Sequence, residues 1–109
     1  MNLRLYIWQR ISAMVMAPLV LAHLAGMIYA IQGGLSAAEI LSRTQGNPWW
    51  GAFYGLFVLA VSIHAAIGLR VIAGEHSNLS RGALDVLMWA FGLASLGLGL
   101  RAVVAVVGI

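Results

Sequence analysis

The chain of 109 residues has no cysteine and no lysine, two prolines and three acidic residues. The missing cysteine excludes a disulfide and thiolate ligation of an iron–sulfur cluster by this chain, and it removes any clue to redox compartment. Charged residues make up 8% of the sequence and hydrophobic residues 62%. A soluble domain of this size could not hide so much apolar surface, because small domains leave much of their surface in contact with solvent. The net charge of +3 comes entirely from arginine. The arginines are scattered between apolar runs, which fits charges flanking membrane spans and gives a nucleic-acid partner no support beyond its sign.

What the sequence does have is long apolar runs. Three of them, about 11–31, 50–73 and 83–108, each reach the roughly 20 residues needed to cross ~30 Å of hydrocarbon. A segment in lipid must satisfy its own backbone hydrogen bonds, so all three are expected to be α-helices. The predicted fold is all-α, a single-domain membrane bundle of three helices. The first run is longer than the apolar stretch of a secretory signal and is expected to remain as a span. Arg4 and Arg10 precede it, and Arg70 and Arg81 lie around the joint between the second and third. Only Arg43 and Arg101 fall on the other side. The arginine bias predicts an N-terminus inside and a C-terminus outside.

The first joint reads QGGLSAAEILSRTQGNP. Ser36 and Glu39 have capping-box spacing ahead of a short surface helix, and Asn47-Pro48 is expected to end it. Trp49 and Trp50 then suit an interfacial aromatic anchor. The second joint, GEHSNLSRG, is short and polar. Small residues recur in every helix and permit close helix contact. Three such helices make a thin bundle, so partner chains are expected.

His64, in the run SIHAAIGLR, is the sharpest candidate site. An ionisable side chain inside a membrane is costly and marks function by default. A neutral imidazole can bind a metal, including haem iron, through one ring nitrogen. Gly68 lies one turn further on the same face and leaves room for a flat macrocycle or another helix. The competing reading is a histidine hydrogen-bonded to a neighbouring helix. His23 is the second intramembrane histidine. It lies about 20 Å along its helix from Arg10, and His64 about 16 Å from Glu75, which predicts similar depths. The two could share a haem, serve separate haems, or His23 could simply bond a neighbour. Arg10, with Ser12 beside it, can pair with a carboxylate or a quinone carbonyl, or can serve only as a topology signal. Arg70 has the same two readings and a pairing with Glu75. Glu75-His76 could relay protons at the membrane surface or form a solvated turn. Asp85 is expected to face the N-terminal dipole of the third helix, and Met14, Met16, Met27 and Met88 to pack rather than ligate.

The stretches YIWQRISAMVMAPLVLAHL and IHAAIGLRVIAGEH resemble the three-helix membrane-anchor subunits of succinate dehydrogenase, the succinate:quinone oxidoreductases. The first carries a Gln-Arg-x-Ser/Thr-Ala opening, here Gln9 to Ala13, with Pro18-Leu19 soon after. The second carries His-x-x-x-Gly, here His64 and Gly68. The resemblance implies that His64 is an axial ligand of haem b, the second ligand coming from a companion anchor subunit. It places Arg10 near a haem propionate or the quinone, which is ubiquinone or menaquinone. The family often has an acid and a tyrosine where this chain has Glu75 and His76, so an imidazole replaces the phenol expected to bond a quinone carbonyl. The sister anchor subunit shares the His-x-x-x-Gly-x-Arg pattern of His64, Gly68 and Arg70. His23 falls outside the single-haem pattern, while diheme relatives use first-helix histidines. The implied partners are a flavoprotein, an iron–sulfur protein and the second anchor. The implied setting is the bacterial inner membrane, or less commonly the mitochondrial one. No succinate chemistry is expected on this chain. The alternatives are a fumarate reductase anchor, a haem-free anchor scaffold, and a small oligomeric proton-linked transporter.

Overall fold

The computed structural model describes residues 2–108. It comprises four helices, α1 (Leu3–Gly33), α2 (Ala37–Thr44), α3 (Pro48–His76) and α4 (Arg81–Val107). The three long ones are apolar enough to cross a membrane. The molecule is 48 Å in its longest dimension, close to the full thickness of a bilayer with its headgroups. Among the described residues there is no strand. The fold is a membrane-type helical bundle, as the apolar runs predict.

The helices outrun the apolar segments because polar caps rather than hydropathy set their ends. Asn2 caps α1, its side chain accepting from the Leu5 amide at 2.9 Å. Asn47 caps α3 ahead of Pro48 at the first helical position, where a proline forgoes a hydrogen bond that no helix could make. Ser80 caps α4 by accepting from Ala83. Arg4 and Arg10 therefore lie inside α1, not ahead of it. Glu75 and His76 are the last two residues of α3, so the second joint shrinks to 77–80. Pro18 sits within α1 without ending it, as membrane helices tolerate.

α3 is central. It packs against both α1 and α4, which barely meet each other. Small residues set the α3–α4 approach. A Cβ on Gly92 would stand 3.1 Å from that of Ala66, and one on Gly99 would overlap Val58 Cγ1. Ala66, Ile67 and Met88 form the buried nucleus of this seam. Met88 thus packs as predicted, whereas Met14 and Met27 stand exposed on the bundle's outer surface.

α2 lies across the far end of α4. The Thr44 hydroxyl donates to the Val106 carbonyl at 2.8 Å, and the Gly46 amide donates to that of Val107 at 2.6 Å. These bonds satisfy carbonyls that the end of α4 leaves without helical partners. At the start of α2, Ser36 accepts from the Glu39 amide at 3.1 Å and its hydroxyl donates to the Glu39 carboxylate at 2.7 Å. Gly34 has φ +114°, and a Cβ there would overlap that carboxylate, so the turn requires glycine. The Ser36 hydroxyl and amide, and then the Arg43 charge, hold the Glu39 carboxyl below its ordinary value of 4.5.

Both seams can be tested. Replacing Gly99 by alanine should destabilise the α3–α4 contact by about 1–3 kcal/mol, read as a lower thermal unfolding midpoint in detergent. Because the folded pKa of Glu39 is depressed, its contribution is complete above about pH 4.5 and lost as pH falls below that. Protection factors of the α2 amides, which correct for the slower intrinsic exchange at low pH, should therefore fall on acidification, and Glu39→Gln should remove that dependence.

Candidate cofactor site

Antiparallel packing of α1 on α3 brings one turn of each helix together. Ser12, 4% exposed, is the buried residue of α1. Its hydroxyl donates to the Gln9 carbonyl at 3.0 Å and stands 3.3 Å from Nδ1 of His64. Bonding through Nδ1 leaves Nε2 on the opposite edge of the ring. The Gln9 amide lies over Gly68, its Nε2 3.6 Å from where a Cβ would be. Its Oε1 is buried without a hydrogen-bond partner. Gln9 thus fills the notch that Gly68 leaves on the His64 face. An ordinary van der Waals separation at that point means an alanine would fit within the chain itself.

His23 occupies a different part of the α1–α3 seam. Its ring stands 5.2 Å from Phe57 and 6.5 Å from Tyr54, within an aromatic cluster that includes Phe53 and Trp50. Ser12 marks the level of His64, and His23 lies about 16 Å further along α1. Two imidazole nitrogens on one metal stand about 4 Å apart, given metal–nitrogen bonds of about 2 Å. His23 and His64 therefore cannot share one iron. The equal-depth expectation fails because it takes Arg10 as the membrane face. α1 begins two turns earlier, and it is Asn2 that reaches the level of Glu75.

Arg10 is exposed, with its guanidinium 5.8 Å from the Tyr6 ring centroid. It lies about 12 Å along α1 from Asn2, so the fold does not bring it to Glu75 and His76. Those two end α3, where Glu75 helps line a polar cleft of about 540 Å³ with Asn2, Arg70 and Arg81. His76 is exposed and does not line it. Arg70 pairs with Asp85 at 2.9 Å, not with Glu75. The unbroken helix puts Glu75 five residues on, well round from Arg70, and Asp85 arrives from α4 instead. Asp85 accordingly lies beyond the first turn of α4, which holds no acidic residue.

On the other side of α3, the gap between α1 and α4 forms an apolar groove of about 500 Å³. Trp8, Ile63, Met88 and Trp89 line it, with Arg4 its charged member. Sequence reasoning missed Gln9, Asn2 and Asp85 as site neighbours. The signal for Gln9 was its place one turn before Ser12 on the same helix face.

These features define a multi-pass helical membrane protein with a histidine held by its Nδ1 edge inside the bundle. The chain matches the succinate dehydrogenase/fumarate reductase transmembrane subunit family over residues 2–100, and it belongs to that family. No curated protein and no solved structure matches it. It is thus a membrane subunit of a succinate or fumarate oxidoreductase complex.

Among the described residues, no group of three or more His, Cys, Asp or Glu side chains could hold a metal ion. A haem asks less of one chain: a single imidazole with a free nitrogen, a fixed ring and space beside it. His64 meets the first two conditions through Ser12. The third requires the Gln9 amide to leave Gly68, and its unsatisfied Oε1 provides little to hold it there. His64 would supply one ligand's share of a haem site once the Gln9 amide has left Gly68.

Because Gly68 has ordinary clearance, Gly68→Ala should leave the thermal midpoint of the chain unchanged or slightly raised, as expected for alanine in a helix interior. Differential scanning in detergent checks this.

Proposed function

We propose that the chain anchors a succinate:quinone oxidoreductase in the membrane and supplies one axial ligand of a haem b through His64 Nε2. The observation that carries this reading is the hydrogen-bond contact between Ser12 and His64 Nδ1, which holds the ring and leaves the second nitrogen for a metal. The family match supports the setting. A second protein ligand would come from another chain of the complex, because His23 lies too far away to share the iron with His64. His23 packs among aromatic rings.

A haem accepts and returns one electron when bound. This chain's own residues hold it and order the surroundings. Arg10, exposed on the α1 face next to Gln9, offers a fork of donors to a propionate or to a quinone carbonyl. Glu75 sits in the polar cleft and His76 at the end of α3, where both can exchange protons with water as quinone is reduced. In this reading the iron–sulfur and flavoprotein subunits would dock at the end of the bundle that carries the cleft. Arg4, Arg70 and Arg81 gather towards that end, which supports its lying on the bacterial cytoplasmic side. Physiological direction, succinate oxidation in this proposal, would reverse in a fumarate reductase with the same anchor.

A haem-free anchor is the second reading. It is favoured by the same two contacts, since Ser12 already gives His64 Nδ1 a partner and Gln9 already lies over Gly68. The transporter reading gains no support, because the fold brings neither His23 nor His76 to His64.

Reduced-minus-oxidised visible spectra of the purified complex separate these readings. His64→Ala should abolish the b-type signal and His23→Ala should retain it. Gly68→Ala should lower haem content at unchanged fold, since the clash arises only when a macrocycle lies there. A wild-type complex without haem absorbance would establish the scaffold reading instead.

A further inference from the structure

Ser12 does more than fill space between α1 and α3. A serine hydroxyl has one proton to donate. The Gln9 carbonyl, 3.0 Å away, can only accept, and it is the nearer of the two partners. With that proton on the carbonyl, the Ser12 oxygen presents a lone pair to His64 Nδ1 at 3.3 Å. Nδ1 must then carry the imidazole's proton, because two facing lone pairs would repel. A neutral imidazole carries one such proton, so Nε2 is left bare. Ser12 is buried, so bulk water does not compete for the arrangement.

We infer that Ser12 is a positioning residue that fixes the tautomer of His64 and makes Nε2 the metal-binding nitrogen. This role deepens the proposed function and rests on it for the identity of the metal group. The chain of dependence runs from a backbone carbonyl through a hydroxyl to a ring nitrogen. The Gln9 carbonyl cannot change protonation or rotate away from its helix, so the orientation is built into the backbone of α1. Sharing the Nδ1 proton with Ser12 also makes Nε2 a stronger electron donor, as partners of metal-bound histidines do. A stronger donor favours ferric over ferrous iron. Loss of the hydroxyl should therefore raise the midpoint potential of the haem as well as weaken its retention.

The test compares the purified complex carrying wild-type chain, Ser12→Ala, Ser12→Thr and His64→Ala. Haem retention during dialysis against a haem scavenger and potentiometric titration of the b-type signal are the two readouts. Ser12→Ala should lose haem about 10- to 100-fold more readily and show a raised midpoint potential. Ser12→Thr, which keeps the hydroxyl, should restore both. A separate measurement needs no haem: nitrogen-15 spectra of the full wild-type chain, histidine-labelled and reconstituted in bilayers without haem, should show His64 protonated at Nδ1. Wild-type retention and potential in Ser12→Ala, or protonation at Nε2 in the haem-free chain, would overturn the role of Ser12. Normal haem content in His64→Ala would overturn the ligand reading beneath it, whereas the nitrogen-15 result reports the hydrogen bond by itself.

Discussion

The contact between Ser12 and His64 ties α1 to α3, and the candidate site depends on it. In a bilayer, apolar surface alone gives little preference for one helix register over another, since lipid tails solvate leucine as well as a neighbouring helix does. Polar contacts must therefore do much of the selecting. Here a buried hydroxyl meets an imidazole, and an amide one turn earlier settles over a glycine one turn later. Those two contacts set which turn of α1 faces which turn of α3. They thereby decide which face of His64 stays free, and they separate His23 from it along the bundle.

The ends of the bundle are held by chemistry of another kind. At one end the Arg70–Asp85 pair spans the short joint between α3 and α4, beside the cleft that contains Glu75 and Arg81. Asp85 is half-exposed, so the pair contributes little stability by itself, and its effect is mainly to orient the joint. At the other end α2 closes over the last carbonyls of α4 through Thr44 and Gly46. A helix terminus facing the lipid headgroups is thereby satisfied by the chain itself. Between the ends, α3 is flanked on both sides while α1 and α4 remain largely uncovered, which suits a subunit that completes its packing against other chains.

Much of this architecture is legible in the amino-acid sequence. Run length predicts the three spans, because the bilayer leaves helices as the only option. The spacing of Ser36 and Glu39 predicts the start of α2, because capping is a local interaction. His64 and Gly68 fall on one face from their separation alone. What the sequence hides is the register between helices. Nothing local tells that Ser12, not His23, meets His64, or that Asp85 reaches Arg70 before Glu75 can. The depth of His23 escapes sequence reasoning for a related reason: the apolar run of α1 begins two turns after the asparagine cap at Asn2, and it is the cap that sets the end of the helix.

Single-particle imaging of the intact wild-type complex tests the central claim most directly, because it locates iron relative to individual side chains. The account predicts a haem whose iron is bonded to His64 Nε2 and to a residue of another subunit, with Ser12 still against Nδ1 and the Gln9 amide moved off Gly68. A complex with no haem density at His64, and with Gln9 still seated on Gly68, would contradict it.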